Sequence, residues 1–219
     1  MRSLFASCLI ICLPFLSLAQ SLYDEDESAS LLGGSVGMAF PGGESDPELN
    51  ASAIYLYHTG LTPGIALEVQ GAAVFSTAAS YADGWKFILP IDSRVFFGSR
   101  KFSSFAGVGL QYTTVSPGDK EFDAPRLNQL ASNIALGLKV GFWKDRKHSI
   151  MIGTKVHLPM CGSDGLNDRS TVAIIAGIGF TNSWGAIKID YEYPFGKEFA
   201  NSVYGINAQS FSCAFLFNI

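Results

Sequence analysis

The chain has 219 residues, of which 48% are hydrophobic, only 16% are charged and 23 are Gly, and its formal net charge is −4. A soluble domain carries about a quarter charged residues and a nucleic-acid binder is basic, so the composition argues against both. Beyond the first residues no apolar run reaches the length of a membrane helix, and an apolar, Gly-rich chain without one satisfies its backbone in lipid only as a closed barrel.

Residues 1–19 read as a cleaved signal peptide. Arg2 supplies a basic start, an apolar run covers 4–18, and Ser17-Leu18-Ala19 has the small-x-small form of a cleavage site. The run is short for a membrane anchor and Pro14 interrupts it. Gln20 and Ser21, rather than a Cys, follow the cleavage point, so lipid attachment there is not expected; Cys8 and Cys12 fall in the discarded segment. Residues 20–30 form a tail whose Asp24-Glu25-Asp26-Glu27 run is expected to be solvated.

Residues 31–219 read as one barrel domain of ten strands, over 31–40, 52–58, 65–75, 85–97, 105–115, 132–143, 149–158, 172–180, 186–193 and 208–217. The period is two. In the ninth strand Ile187, Ile189, Tyr191 and Tyr193 share one face, and Lys188, Asp190 and Glu192 the other. In the sixth, Ile134, Leu136, Leu138, Val140 and Phe142 oppose Lys139 and small residues. A soluble sandwich or a lipocalin-like barrel would also alternate, with its greasy face inward and a densely charged face in water. Here the second face is rich instead in small residues such as Gly33, Gly37, Gly107, Gly109, Gly137, Gly141, Gly177 and Gly179, which suit a crowded lumen.

The predicted connections alternate in length. Long ones cover 41–51, 76–84, 116–131, 159–171 and 195–207, and short ones 59–64, 98–104, 144–148 and 181–185. Transmembrane barrels have this asymmetry, with short turns on the periplasmic side and longer loops outside. Aromatic residues gather towards strand ends, as membrane-interface girdles do, among them Tyr55, Trp85, Phe97, Phe142, Trp184 and Tyr193. Cys161 is placed in a loop and Cys213 in the last strand, with no disulfide expected.

The inward charges form the sharpest chemical feature: Glu68, Lys86, Asp92, Arg94, Lys139, Lys155, Lys188, Asp190 and Glu192, with Gln70, Gln111 and His157. Their signs nearly balance, so they are expected to pair across the lumen, either as structural filling or as the lining of a narrow polar channel. A hydrolase reading would use His157 as a general base oriented by Glu192, but Ser163 and Ser170 lie in no recognisable nucleophile context, so no catalytic residue is assigned. The Cys/His spacing fits no zinc site, no phosphate loop precedes a helix, and Asp164 and Asp168 do not make a calcium loop; no metal and no cofactor are expected.

The chain ends in Phe211-Ser-Cys-Ala-Phe215-Leu-Phe217-Asn-Ile219, an apolar alternation that resembles the insertion signal read by the barrel-assembly machinery in bacterial outer-membrane barrels, although those usually finish on Phe or Trp. Signal, strands and terminal segment together resemble the small porin-like outer-membrane β-barrel superfamily over the whole chain. The last hairpin, Ile189-Asp190-Tyr191-Glu192-Tyr193-Pro194-Phe195-Gly196, is similar to the end of the fatty-acid-transporter-like barrels, a group that includes secretion-associated shuttles; those are larger and carry a plug. The resemblance implies an all-β, antiparallel up-and-down transmembrane barrel in the cell outer membrane, in contact with its lipid. The expected function is non-enzymatic, a structural barrel or a narrow pore for small solutes. The alternatives are transport of a hydrophobic ligand or a secretion role, and then an outer-membrane hydrolase.

Overall fold

The computed structural model describes residues 28–40, 46–78, 84–99, 101–117, 126–142, 148–163, 170–195 and 209–219. The signal-peptide reading of 1–19, the acidic run 24–27 and the calcium reading of Asp164 and Asp168 lie outside the described residues.

Ten antiparallel strands follow one another: β1 (Ser28–Phe40), β2 (Glu48–Thr62), β3 (Ile65–Ala78), β4 (Gly84–Gly98), β5 (Phe102–Ser116), β6 (Leu127–Phe142), β7 (His148–Gly162), β8 (Thr171–Asn182), β9 (Gly185–Phe195) and β10 (Gln209–Asn218). Each pairs with its neighbours in sequence, and β10 returns to β1, with Leu31 opposite Asn218 and Phe40 opposite Gln209. The result is a closed up-and-down barrel, all-β, without a free sheet edge.

Several strands run past their expected ends. β2 starts at Glu48 and not at Ser52, because Glu48 pairs with Ala39 on β1. β1 takes in Ser28, Ala29 and Ser30 from the predicted tail, opposite Thr59, His58 and Tyr57. β7 continues to Gly162, so Cys161 lies in a strand and not in a loop, opposite Leu130. A ladder satisfies backbone groups whatever the side chain is, so pairing outlasts the apolar pattern.

The connections between strands cover 63–64, 99–101, 143–147 and 183–184 at one end of the barrel, the turn end. Those at the other, the loop end, cover 41–47, 79–83, 117–126, 163–170 and 196–208. The two tightest reversals each use a glycine at positive φ, Gly64 at 84° and Gly185 at 150°, which a side chain would strain.

Alternation sorts the side chains. The outward face is apolar and banded. Around its middle stand aliphatic side chains such as Val36, Ile91, Val108, Leu136 and Ile152, each more than half exposed. Towards the loop end the exposed large residues include the aromatics Phe75, Trp85, Tyr112, Tyr193, Phe195 and Phe211, together with Leu49, Met160 and Val172. Towards the turn end they include the aromatics Tyr57, Phe97, Phe102, Trp184 and Phe217, together with Leu32 and Leu61. Trp184 and Phe217 pair at 5.8 Å between ring centroids, and Tyr193 and Phe195 at 5.4 Å.

The inward face holds two apolar clusters as well as the charges. Leu31, Ile54, Leu56, Ala186, Ala214 and Leu216 form one, and Ala66, Phe96, Phe105, Met151 and Ile175 the other, with Ala135 packed against it. All ten strands contribute, so the turn-end half of the lumen is filled by apolar clusters among buried polar groups such as His58, Lys139 and Ser149, and the inward face is not only polar or small. Lumen glycines make room for its largest members. A Cβ at Gly137 would stand 2.6 Å from Phe105 Cζ and one at Gly153 3.0 Å, so the Phe105 ring lies over two strands that carry no side chain there.

Candidate functional site

Above the apolar clusters, the middle of the lumen contains a cavity of about 240 Å³. Ile54, Met151 and Ile175 line it and belong to the apolar clusters, so they form its floor. A second cavity of about 200 Å³ adjoins it, sharing Ser35, Gln111, Lys155 and Glu192, and reaches Asn50, Ser76 and Lys86 nearer the loop end.

The walls differ in chemistry. β10, β1 and β2 present hydroxyls, Ser210, Ser212, Ser35 and Ser52, with the last two hydrogen-bonded at 2.7 Å. β4, β7 and β9 present the charges Asp92, Arg94, Lys155, Lys188, Asp190 and Glu192. Period-two alternation along β9 puts Lys188, Asp190 and Glu192 on one face in consecutive layers, and the same rule puts Asp92 and Arg94 together on β4.

Each charge has its own setting. Lys155 Nζ donates to Glu192 Oε2 at 2.9 Å, across β8. Lys188 Nζ donates to Gln70 Oε1 at 2.6 Å across the lumen, and stands 3.3 Å from Asp190 Oδ2 on its own strand. Arg94 Nη1 lies 3.8 Å from Glu68 Oε1 and 3.7 Å from Met151 Sδ, and its guanidinium sits over the Phe105 ring. These groups converge on the central cavity or its floor.

The remaining inward residues lie elsewhere. Lys86 is fully buried near the loop end and forms an ion pair with Glu48, also fully buried. Lys139 lies near the turn end with its ammonium 5.8 Å from the Phe96 ring centre. His157 is buried between two amides, with Nδ1 3.0 Å from Asn133 Oδ1 and Nε2 3.4 Å from Gln129 Oε1. Gln111 Nε2 donates to Thr113 Oγ1 at 3.3 Å.

The triad-like reading of His157 is therefore not assembled. Both ring nitrogens face amides, and Glu192 is engaged by Lys155. Ser163 Oγ accepts from the Asn128 backbone N–H at the rim. Among the described residues no group of three or more His, Cys, Asp or Glu side chains is arranged to hold a metal ion. Cys161 and Cys213 are free.

Reading the sequence missed four polar partners: Glu48, Gln129, Asn133 and the buried His58. Glu48 was hidden behind Pro47 in a stretch that reads as a turn. The signal that finds it is the continuing alternation Glu48, Asn50, Ser52, which keeps the inward phase of the strand. No family model matches the sequence, and no curated protein matches it either.

Proposed function

We propose that this chain is a non-enzymatic barrel of the cell outer membrane that serves as a structural, normally closed envelope protein. The observation that carries the reading is the outward face, a continuous apolar band with most of its aromatic residues towards its two ends. An exposed apolar surface of that extent requires a partner, and aromatic residues towards its two ends fit the two interfaces of a bilayer around its hydrocarbon core. Unequal connection lengths at the two ends suit the same setting, with the turn end in the periplasm.

The closed state follows from the lumen. Side chains from every strand occupy its turn-end half, and Leu31, Leu56, Ala186 and Leu216 have no accessible surface at all. Reconstitution in a planar bilayer tests the proposal. The expected result is a protein that inserts and stays electrically silent. Steady openings of the wild-type chain would overturn the closed reading, and failure to enter lipid while folded in detergent would overturn the membrane reading. A narrow gated pore is the second reading, favoured by the two adjoining polar cavities.

A further inference from the structure

We propose that the central lumen cavity is a binding site for a small zwitterion of the amino-acid type, with Arg94 receiving its carboxylate and Asp92 its ammonium group. The inference goes beyond the envelope-barrel reading and stands on lumen geometry alone.

Three cations line the cavity, and two of them are engaged. Lys155 and Lys188 each donate to an oxygen within 3 Å. Arg94 is different. A guanidinium carries five N–H donors in a fixed fork. Here the nearest carboxylate oxygen, on Glu68, is 3.8 Å away, too far for an N–H···O bond, and the other neighbours are a thioether sulfur and an aromatic ring. Among the described residues no oxygen accepts a hydrogen bond from it. The fork is poised for a bidentate carboxylate that the barrel does not supply.

Asp92 supplies the opposite charge. It is two residues before Arg94 on β4, on the same inward face and about 7 Å away along the strand. Its carboxylate rests on Gly109 of β5, where a side chain would displace it. Among the described residues it accepts no hydrogen bond. The two charges thus share one cavity without satisfying each other. Arg94 has its ion-pair partner Glu68 only at 3.8 Å, and Asp92 has only a through-space attraction to Lys155, so a ligand bearing both complementary groups adds at each site the hydrogen bonds that the barrel does not supply.

Size and polarity narrow the class. About 240 Å³ is below the range of drug-sized pockets and suits a ligand of few heavy atoms. The floor of Ile54, Met151 and Ile175 offers an apolar seat for a short aliphatic side chain.

Amide chemical shifts of the ¹⁵N-labelled chain, refolded in detergent micelles, test this directly. Three probes are titrated: L-alanine, propionate and ethylamine. The expected result is saturable shifts with L-alanine, centred on Asp92, Arg94, Gly107 and Gly109, with propionate and ethylamine each bound at least tenfold more weakly. Arg94→Gln and Asp92→Asn each weaken L-alanine at least tenfold. A well-dispersed spectrum with no saturable shift for any probe, or shifts confined to the rim, overturns the site. Propionate binding as tightly as L-alanine overturns its zwitterionic character. Where a variant does not fold, the comparison of the three probes on the wild-type chain decides alone. Failure of the barrel to enter vesicles would sink the membrane reading and leave this titration untouched.

Discussion

Glu48 and Lys86 are the most deeply buried opposite charges among the described residues of the lumen, and they illustrate what a narrow barrel demands of a side chain. Neither reaches water, and the ion pair between them offsets part of the desolvation of each. Removing one partner takes the ion pair from a buried charge, whereas removing both takes away the two charges together. Lys86→Met is therefore expected to destabilise the barrel by about 3–5 kcal/mol, and the double variant Lys86→Met/Glu48→Leu to regain most of that loss. Urea unfolding midpoints in micelles, compared at equal m-value, measure both. Lys86 itself is legible in the sequence, since alternation along the fourth strand turns it inward. Its partner is not, because which strand faces which across the lumen depends on strand tilt and stagger, and no local pattern carries those. The same limit hides the link from Lys188 to Gln70, which joins the ninth strand to the third.

At the scale of the strand, most of the architecture was readable. Ten alternating segments and a regular alternation of connection lengths lead to ten strands and a closed sheet. The two inner-face hydrophobic clusters were not readable. A period of two separates inside from outside, but it does not say that Leu31, Leu56 and Leu216 meet in one cluster, on β1, β2 and β10, while Phe96 and Phe105 meet in another, on β4 and β5. Adjacent apolar residues were the available hint, as in Leu31-Leu32, Phe96-Phe97 and Phe215-Leu216-Phe217, since such runs put apolar groups on both faces. The outward band carries its own test. Ile91 stands mid-strand on the fourth strand and Phe97 near its turn end, both outward. In a bilayer, Ile91→Arg is expected to cost about 2–4 kcal/mol and Phe97→Arg about 0–1 kcal/mol, because a charge is penalised by depth. Denaturant unfolding from lipid vesicles reads the difference. Equal costs at the two positions would remove the membrane from the explanation.

For the molecule as a whole, the two apolar clusters fill the lumen below the central polar cavity, interleaved with buried polar groups. Phe96 and Phe105, 5.7 Å apart and lying on neighbouring strands, are the bulkiest members of the second cluster. Replacing both with Ala removes the largest obstruction below the central cavity while the ladder stays intact. The double variant Phe96→Ala/Phe105→Ala is expected to convert a silent barrel into one with measurable single-channel openings, at a stability cost of several kcal/mol. A folded, inserted double variant that remains silent would place the barrier in the first cluster.

The unequal ends also divide the molecule by its tolerance to change. At the turn end, reversals as tight as 63–64 and 183–184 fix strand register through single glycines, so a length change there shifts two strands against each other and turns inward residues outward. At the loop end, 117–126 and 196–208 join strands whose register is held by their own ladders. Inserted epitopes, affinity tags or natural length variants are therefore absorbed on one side only. The barrel is a one-sided display scaffold, with one rim free to diversify and the other held to its length.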